Sequence, residues 1–176
     1  MSHVSRRRVL ILDLRSRRFG YVIFEGPHTL LDWGIRTYTE GKHSSLGRRL
    51  NDLKSMFAPS VILVRNAVER NPIGQAAIRL ALHNLMAFAK RALVTVLLID
   101  ESSRRGFFSR EAKVNKHDIA RMMAAQFPEL SWRLPPKRKP WQSEPTRQSI
   151  FDAASLGVFY FAQHADKQKT TARLSD

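Results

Sequence analysis

The apolar positions of this chain change period along its length. Near the N-terminus they form short runs. "VLILDL" over 9–14 and "FGYVIFE" over 19–25 read as two strands joined through the basic turn "RSRR", a hairpin. Gly26-Pro27 marks a further turn, and a third strand is predicted over 30–39. The spacing then becomes helical. Leu46, Leu50, Leu53 and Phe57 share one face, with Ser44 or Ser45 placed to cap the helix and Pro59 to end it. "SVILV" follows as a buried strand. A long helix starts near Pro72, where a missing N–H costs nothing, and repeats Ile73, Ala77, Leu80 and Leu85 on one face. "LVTVLLID" has almost no polar alternation and reads as a buried fifth strand.

Beyond Asp100 the pattern loosens. "ESSRRGFFSREAKV" reads as a mobile basic loop exposing Phe107 and Phe108. "NKHDIARMMAAQF" is a helix ended by Pro128, and "SWRLPPKRKPWQSEP" carries too much proline for regular structure. Residues 146–165 form a closing helix with Thr146 as its cap, and 166–176 is a polar tail expected to be disordered. No internal repeat occurs. The prediction is one domain over 1–165 with order β-β-β-α-β-α-β-α-α. Three antiparallel strands come first, and βαβ crossovers that demand parallel pairing follow, in a five-stranded mixed sheet flanked by helices.

Charge changes this picture most. Lys and Arg number 30 against 15 Asp and Glu, a net charge of +15. The excess is clustered at Arg6-Arg7-Arg8, Arg15-Arg17-Arg18, Arg48-Arg49, Arg104-Arg105 and Lys137-Arg138-Lys139. One such cluster is an ordinary solvated surface; five in a small domain point to a polyanion, and nucleic acid is the usual one. A membrane surface is the weaker partner, because no cluster sits on a clear amphipathic helix. There is no cysteine, hence no disulfide and no thiolate metal site, which is compatible with a cytoplasmic setting. The basic, then apolar N-terminus has the outline of a signal peptide, but Asp13 inside the apolar run and the lack of a small-residue cleavage site argue against one.

The residues then narrow the fold. Asp13, Ser16, Arg17, Gly20 and Tyr21 have the spacing D-x-x-S-R-x-x-G-Y. This resembles the first-strand motif of RuvC-type Holliday-junction resolvases, within the ribonuclease H-like superfamily. "NKHDIARMM" and "IFDAASLGVFYF" resemble that family's basic helix and closing helix. The likeness spans residues 9–161. It implies a ribonuclease H-like fold, a nucleoid-associated location, DNA in preference to RNA, and a homodimer, for which the long helix offers a face. It also implies phosphodiester hydrolysis with two Mg²⁺ ions, or Mn²⁺ in their place. Such ions want carboxylate oxygens converging from several elements.

Asp13 takes the first-strand ligand role, and Asp152 on the closing helix takes another. Without the resemblance, Asp13 reads as the partner of Arg15 or Arg17, and Asp152 as an acid favoured by a helix start. Glu144 is either a third ligand or a loop acid neutralising Lys137 or Arg138. Two positions depart from the family pattern. Ser149 stands where an acid is often found, and Arg65 stands where the fourth strand should supply one. Glu69 lies four residues beyond Arg65, and Asp100-Glu101 ends the fifth strand as a reserve ligand pair or a turn. If Arg65 lies between Asp13 and Asp152, its guanidinium takes the charge position of the metal. The result is a nucleic-acid-binding fold without hydrolysis. Arg15, Arg17, Arg18, Arg104, Arg105, Lys116, Lys137, Arg138 and Lys139 are candidate phosphate contacts. Phe107 and Phe108 are candidate base-stacking rings or a cover for the core edge. Trp132 and Trp141 flank "PPKRKP" with the same two readings. His117 is a phosphate contact or a plain helix start, and His83 a packed or exposed helix residue. Three functions follow: a metal-dependent endonuclease on branched or structured DNA, a degenerate binding module for DNA or RNA, and a basic structural component of a nucleoprotein particle.

Overall fold

A computed structural model describes residues 7–39, 45–66, 72–110, 113–139 and 141–173. Glu69 and Arg6 lie outside the described residues. Strands β1 (Arg8–Leu14), β2 (Arg18–Glu25), β3 (Leu30–Thr37), β4 (Val61–Asn66) and β5 (Thr95–Asp100) form one sheet in the order β3-β2-β1-β4-β5. The first three pair antiparallel, and β1–β4 and β4–β5 pair parallel. This is the mixed sheet the order of elements predicts. Helices are α1 (Leu46–Phe57), α2 (Pro72–Ala92), α3 (Glu101–Phe108), α4 (Lys116–Gln126) and α5 (Gln148–Arg173), with a 3-10 turn at Pro128–Arg133.

The alternation of β1 divides the interior in two. Val9 and Ile11 face α4 and α5, among Phe24, Leu63, Met123 and Phe151. Leu10, Leu12 and Leu14 face α1 and α2, among Phe19, Leu50, Val64 and Leu85. Both faces of the sheet are covered, so β1 and β4 are apolar at nearly every position. Asp13 is the one acid in β1, on the α5 side by the same alternation.

Three local expectations are corrected. β5 is an edge strand rather than a buried one, with Leu98 half exposed. The loop expected after it is helix α3, because Asp100 caps it by accepting the Ser103 amide. The buried face of α2 is Ile78, Ala81, Leu85, Phe88 and Ala89, while Ile73 and Leu80 point outward. A helix rich in Ala and Leu all round gives two apolar stripes, and the sequence alone does not rank them. Helix α5 spans Gln148–Arg173. Ser45 does sit at the N-cap of α1, but its hydroxyl accepts from the Thr39 amide instead of capping the helix.

Two glycines let α5 lie against the sheet. A Cβ on Gly20 would meet the backbone carbonyl of Ser149 at 2.5 Å, and one on Gly157 would meet the Phe24 ring at 2.4 Å. Gly20 pairs with Asp13 across the hairpin, so this close approach also sets the height of α5 above Asp13. Gly20→Ala and Gly157→Ala should each lower stability in urea unfolding by about 1–3 kcal/mol, the usual cost of overpacking. An alanine at Gly47 or Gly106, in helices where the space is open, should leave it unchanged or raise it by up to about 1 kcal/mol.

A buried ion-pair cluster as the candidate site

Parallel pairing brings the carboxyl ends of β1, β4 and β5 to one edge, where open α/β sheets place their sites. Asp13 lies at the end of β1, Arg65 at the end of β4, and Glu101 directly after β5. Asp152 comes down from the second turn of α5. Glu144 comes from the irregular segment before α5, and Lys116 from the start of α4. The carboxylates predicted from sequence therefore do converge, and Glu101 joins them.

Cations hold the space between these acids. The Arg65 guanidinium is 2.5 Å from Asp13 Oδ1 through Nη2 and 3.8 Å from both Asp152 Oδ2 and Glu101 Oε2 through Nη1. Arg15 donates from Nε to Asp13 Oδ2 at 2.9 Å, and from Nη2 to Glu144 Oε1 at 3.1 Å and Asp152 Oδ2 at 3.3 Å. Lys116 Nζ donates to Glu144 Oε2 at 2.8 Å and lies 3.6 Å from Asp152 Oδ2. Gln148 Nε2 donates to Asp152 Oδ1 at 3.1 Å. Asp13, Asp152 and Arg65 are 1%, 2% and 8% exposed, so these contacts are poorly screened.

Beside Arg65, Arg104 forks onto Glu101 at 2.6 and 2.9 Å and donates to Ser155 Oγ at 2.7 Å. Arg105 donates to Glu101 at 2.8 Å. Burial alone would raise the Glu101 carboxyl, but Arg104, Arg105 and Arg65 outweigh it and hold the pKa at about 2. Burial alone would lower Arg65, but the charges of Asp13, Asp152 and Glu101 outweigh it and hold the guanidinium above its ordinary range. Arg65 is therefore a permanent cation. Burial pushes the Asp13 carboxyl above its ordinary value, against the pull of Arg65 and Arg15.

The residues present do not fit a pair of Mg²⁺ ions. Mg²⁺ needs oxygen ligands at about 2.0–2.1 Å in octahedral array. Both oxygens of Asp13 are instead met by guanidinium nitrogens, and a fixed positive charge stands where a further acid was expected. Ser149 donates its hydroxyl back to the Thr146 carbonyl. Among the described residues, no group of three or more His, Asp or Glu side chains is arranged to hold a metal ion.

The proposed phosphate contacts divide. Arg15 and Arg104 are corrected. Arg15 points into the acids because the Tyr38 hydroxyl and the turn bonds after β1 fix its backbone, and Arg104 is fully buried on Glu101. Arg17, Arg105, Lys137, Arg138 and Lys139 are exposed, and Arg18 and Lys116 are partly so. Phe107 and Phe108 pack edge-on to each other, and Phe107 packs on Phe159, so they cover the core edge rather than present free faces. His83 is exposed on α2. His117 lines a hollow of about 350 Å³ with Lys116, Lys137, Arg138 and Glu144. Sequence reasoning missed Gln148, which gives no signal of its own. It also missed the Glu101–Arg104–Arg105 pairing, whose i, i+3 and i, i+4 spacing is a helix signal.

No family model and no curated protein sequence matches the chain. Solved structures do. Thermus thermophilus RuvC, in complex with Holliday junction substrate, superposes with a TM-score of 0.65 at 14% identity, over 90% of this chain and 96% of RuvC. The yeast mitochondrial Holliday junction resolvase Ydc2 gives 0.57 at 16% identity, over 96% and 86%. The Fowlpox virus resolvase, complexed with Holliday junction DNA, gives 0.57 at 13%, over 88% and 99%. The chain thus has a ribonuclease H-like α/β fold. Within that class it has the fold of the RuvC-like resolvases.

Two measurements test the cluster. Arg65→Met should destabilise the protein by about 3–5 kcal/mol in urea unfolding, because Asp13 is left buried with one cation fewer; Arg65→Met with Asp13→Leu should recover most of that loss. Glu101 falls from an ordinary 4.5 to about 2 in the folded chain, so its contribution is complete above pH 4.5 and lost as pH drops towards 2. Glu101→Gln should flatten that limb of a stability-against-pH curve. An unchanged slope would rule out the Glu101 pairing.

Proposed function

We propose that this chain binds nucleic acid, DNA in preference to RNA, through a RuvC-like domain whose site has lost metal-dependent hydrolysis. The observation that carries this is Arg65 among Asp13, Asp152 and Glu101. The resolvase neighbours and the net charge of +15 support the binding half. The cluster consumes its own charge, since Arg15, Arg65, Arg104, Arg105 and Lys116 face Asp13, Glu101, Glu144 and Asp152. Phosphate contacts then fall to the surrounding surface: Arg17, Arg18, Lys137, Arg138 and Lys139, with Lys116 at the margin. The ligand is branched or structured DNA, by analogy with the junctions bound by the RuvC and Fowlpox virus structures. The outward Ile73 and Leu80 of α2, one heptad apart, are the proposed face for a homodimer. The protein works in the cytoplasm on nucleoid DNA. Among the described residues no helix is long and apolar enough to cross a membrane.

The test is polarisation binding of a labelled four-way junction, a matched duplex and a matched RNA, with gel analysis for cleavage. Expected are tight, salt-sensitive binding and no products under Mg²⁺ or Mn²⁺. Replacing Lys137, Arg138 and Lys139 together by alanine should flatten the salt slope by roughly 2–3. Junction cleavage that needs a divalent ion and disappears in Asp13→Asn would overturn the loss of hydrolysis. Binding that ignores junction structure, with co-purification in one particle, would favour a structural nucleoprotein component.

A further inference from the structure

Of the sixteen aromatic side chains, ten Phe, three Trp and three Tyr, most are buried or half buried, and the two exposed ones are Trp132 and Trp141. They are 64% and 77% exposed. Leaving a tryptophan in water forgoes a burial worth a few kcal/mol, so two on one short segment ask for a ligand. Trp132 lies in the 3-10 turn and Trp141 on the proline-rich strap that leads from it to α5, with Lys137, Arg138 and Lys139 between them in sequence.

Each ring is held rather than loose. Trp132 sits between Leu130, fully buried in the core, and Leu134, which packs against that core. Trp141 lies in a turn closed twice: the Gln142 amide donates to the Lys139 carbonyl and Gln142 Oε1 accepts from the Lys139 amide, both at 3.0 Å. Each ring also carries a cation over it. Arg133 Cζ lies 3.9 Å from the Trp132 centroid and Lys139 Nζ 5.5 Å from that of Trp141. A cation on one face leaves the other face open to a flat partner. On the same segment, Pro136, Arg138, Gln142, Ser143 and Pro145 line a hollow of about 410 Å³. It is floored by prolines and edged by polar groups able to meet a base.

We infer that this strap is a second nucleic-acid element, in which Trp132 and Trp141 stack on unpaired bases while Lys137, Arg138 and Lys139 hold the adjoining phosphates. Paired bases in a duplex offer no free face, so the strap selects single-stranded or open regions, such as the crossover of a branched molecule. The charge between the rings favours a polyanion of regular spacing, and stacking favours a nucleic acid over other polyanions. This rests on the nucleic-acid reading above.

Tryptophan fluorescence tests it directly, since Trp33 is partly buried on β3 and serves as a constant background. Single-stranded oligothymidylate should quench wild-type emission, and matched duplex should quench it far less. Trp132→Leu and Trp141→Leu should each weaken single-strand binding roughly 5- to 150-fold, the equivalent of about 1–3 kcal/mol per stacked base, and leave duplex affinity unchanged. Trp141→Phe should restore part of the loss at position 141. Thermal melts confirm folding of these surface variants. Single-strand affinity unchanged in the double leucine variant would overturn the inference while leaving duplex or junction binding intact. So would an emission change seen only with phosphatidylglycerol vesicles. Failure of the wild type to bind any nucleic acid would overturn the proposed function as well.

Discussion

The guanidinium of Arg65 ties together four separate pieces of chain. It reaches Asp13 on β1, Asp152 on α5 and Glu101 at the start of α3, while its own backbone continues β4. The neighbours are arranged around that contact. Gly20 lets α5 descend onto the hairpin until Asp152 comes within reach. Gln148 donates to the Asp152 oxygen that Arg65 leaves, and Lys116 shares Oδ2 with Arg65. A buried ion pair of this kind adds little net stability, because desolvation offsets attraction. It does penalise any arrangement that separates the partners, since each would then be a bare charge in the interior. The cluster therefore specifies the relative placement of sheet and helices more than it adds to their stability.

The same contact determines what the edge of the sheet can do. A converging set of carboxylates attracts a divalent ion because nothing else neutralises it. Here four acids meet five cations whose positions are set by the backbone. The charge is consumed before any ligand arrives. A strongly basic chain whose centre is close to balanced carries most of its excess outside that centre, which is where Arg17 and the strap lysines stand.

Much of this was legible in the sequence, and the failures share one cause. The order of elements, and with it three antiparallel strands followed by parallel crossovers, came from a clear change of period between strands and helices. Arg65 was readable because an arginine replaced an expected acid. What a one-dimensional pattern does not carry is direction. Arg15 and Arg104 belong to basic runs and were assigned to phosphate, yet both turn inward. For Arg104, Glu101 lies one turn back on a helix whose start Asp100 fixes. For Arg15, the turn after β1 is fixed by Tyr38, more than twenty residues away. On α2 the same loss of direction put the apolar face on Ile73 and Leu80 as well as Leu85, in place of Ile78 and Ala81.

The first-strand motif can be read in that light. Gly20 is required because the Ser149 backbone occupies the place of its side chain. Tyr21 is held by a 2.9 Å hydrogen bond to Asp32 on the next strand. Asp13 is required as the counter-charge of Arg65 and Arg15. Each of these demands is met by packing and pairing alone, with no metal in the argument. This motif thus seats the closing helix against the hairpin, and its carboxylate is matched by one more residue at the end of β4. In this chain that residue is a cation. The fold keeps its shape by satisfying with arginine the charges that a hydrolytic site would leave open.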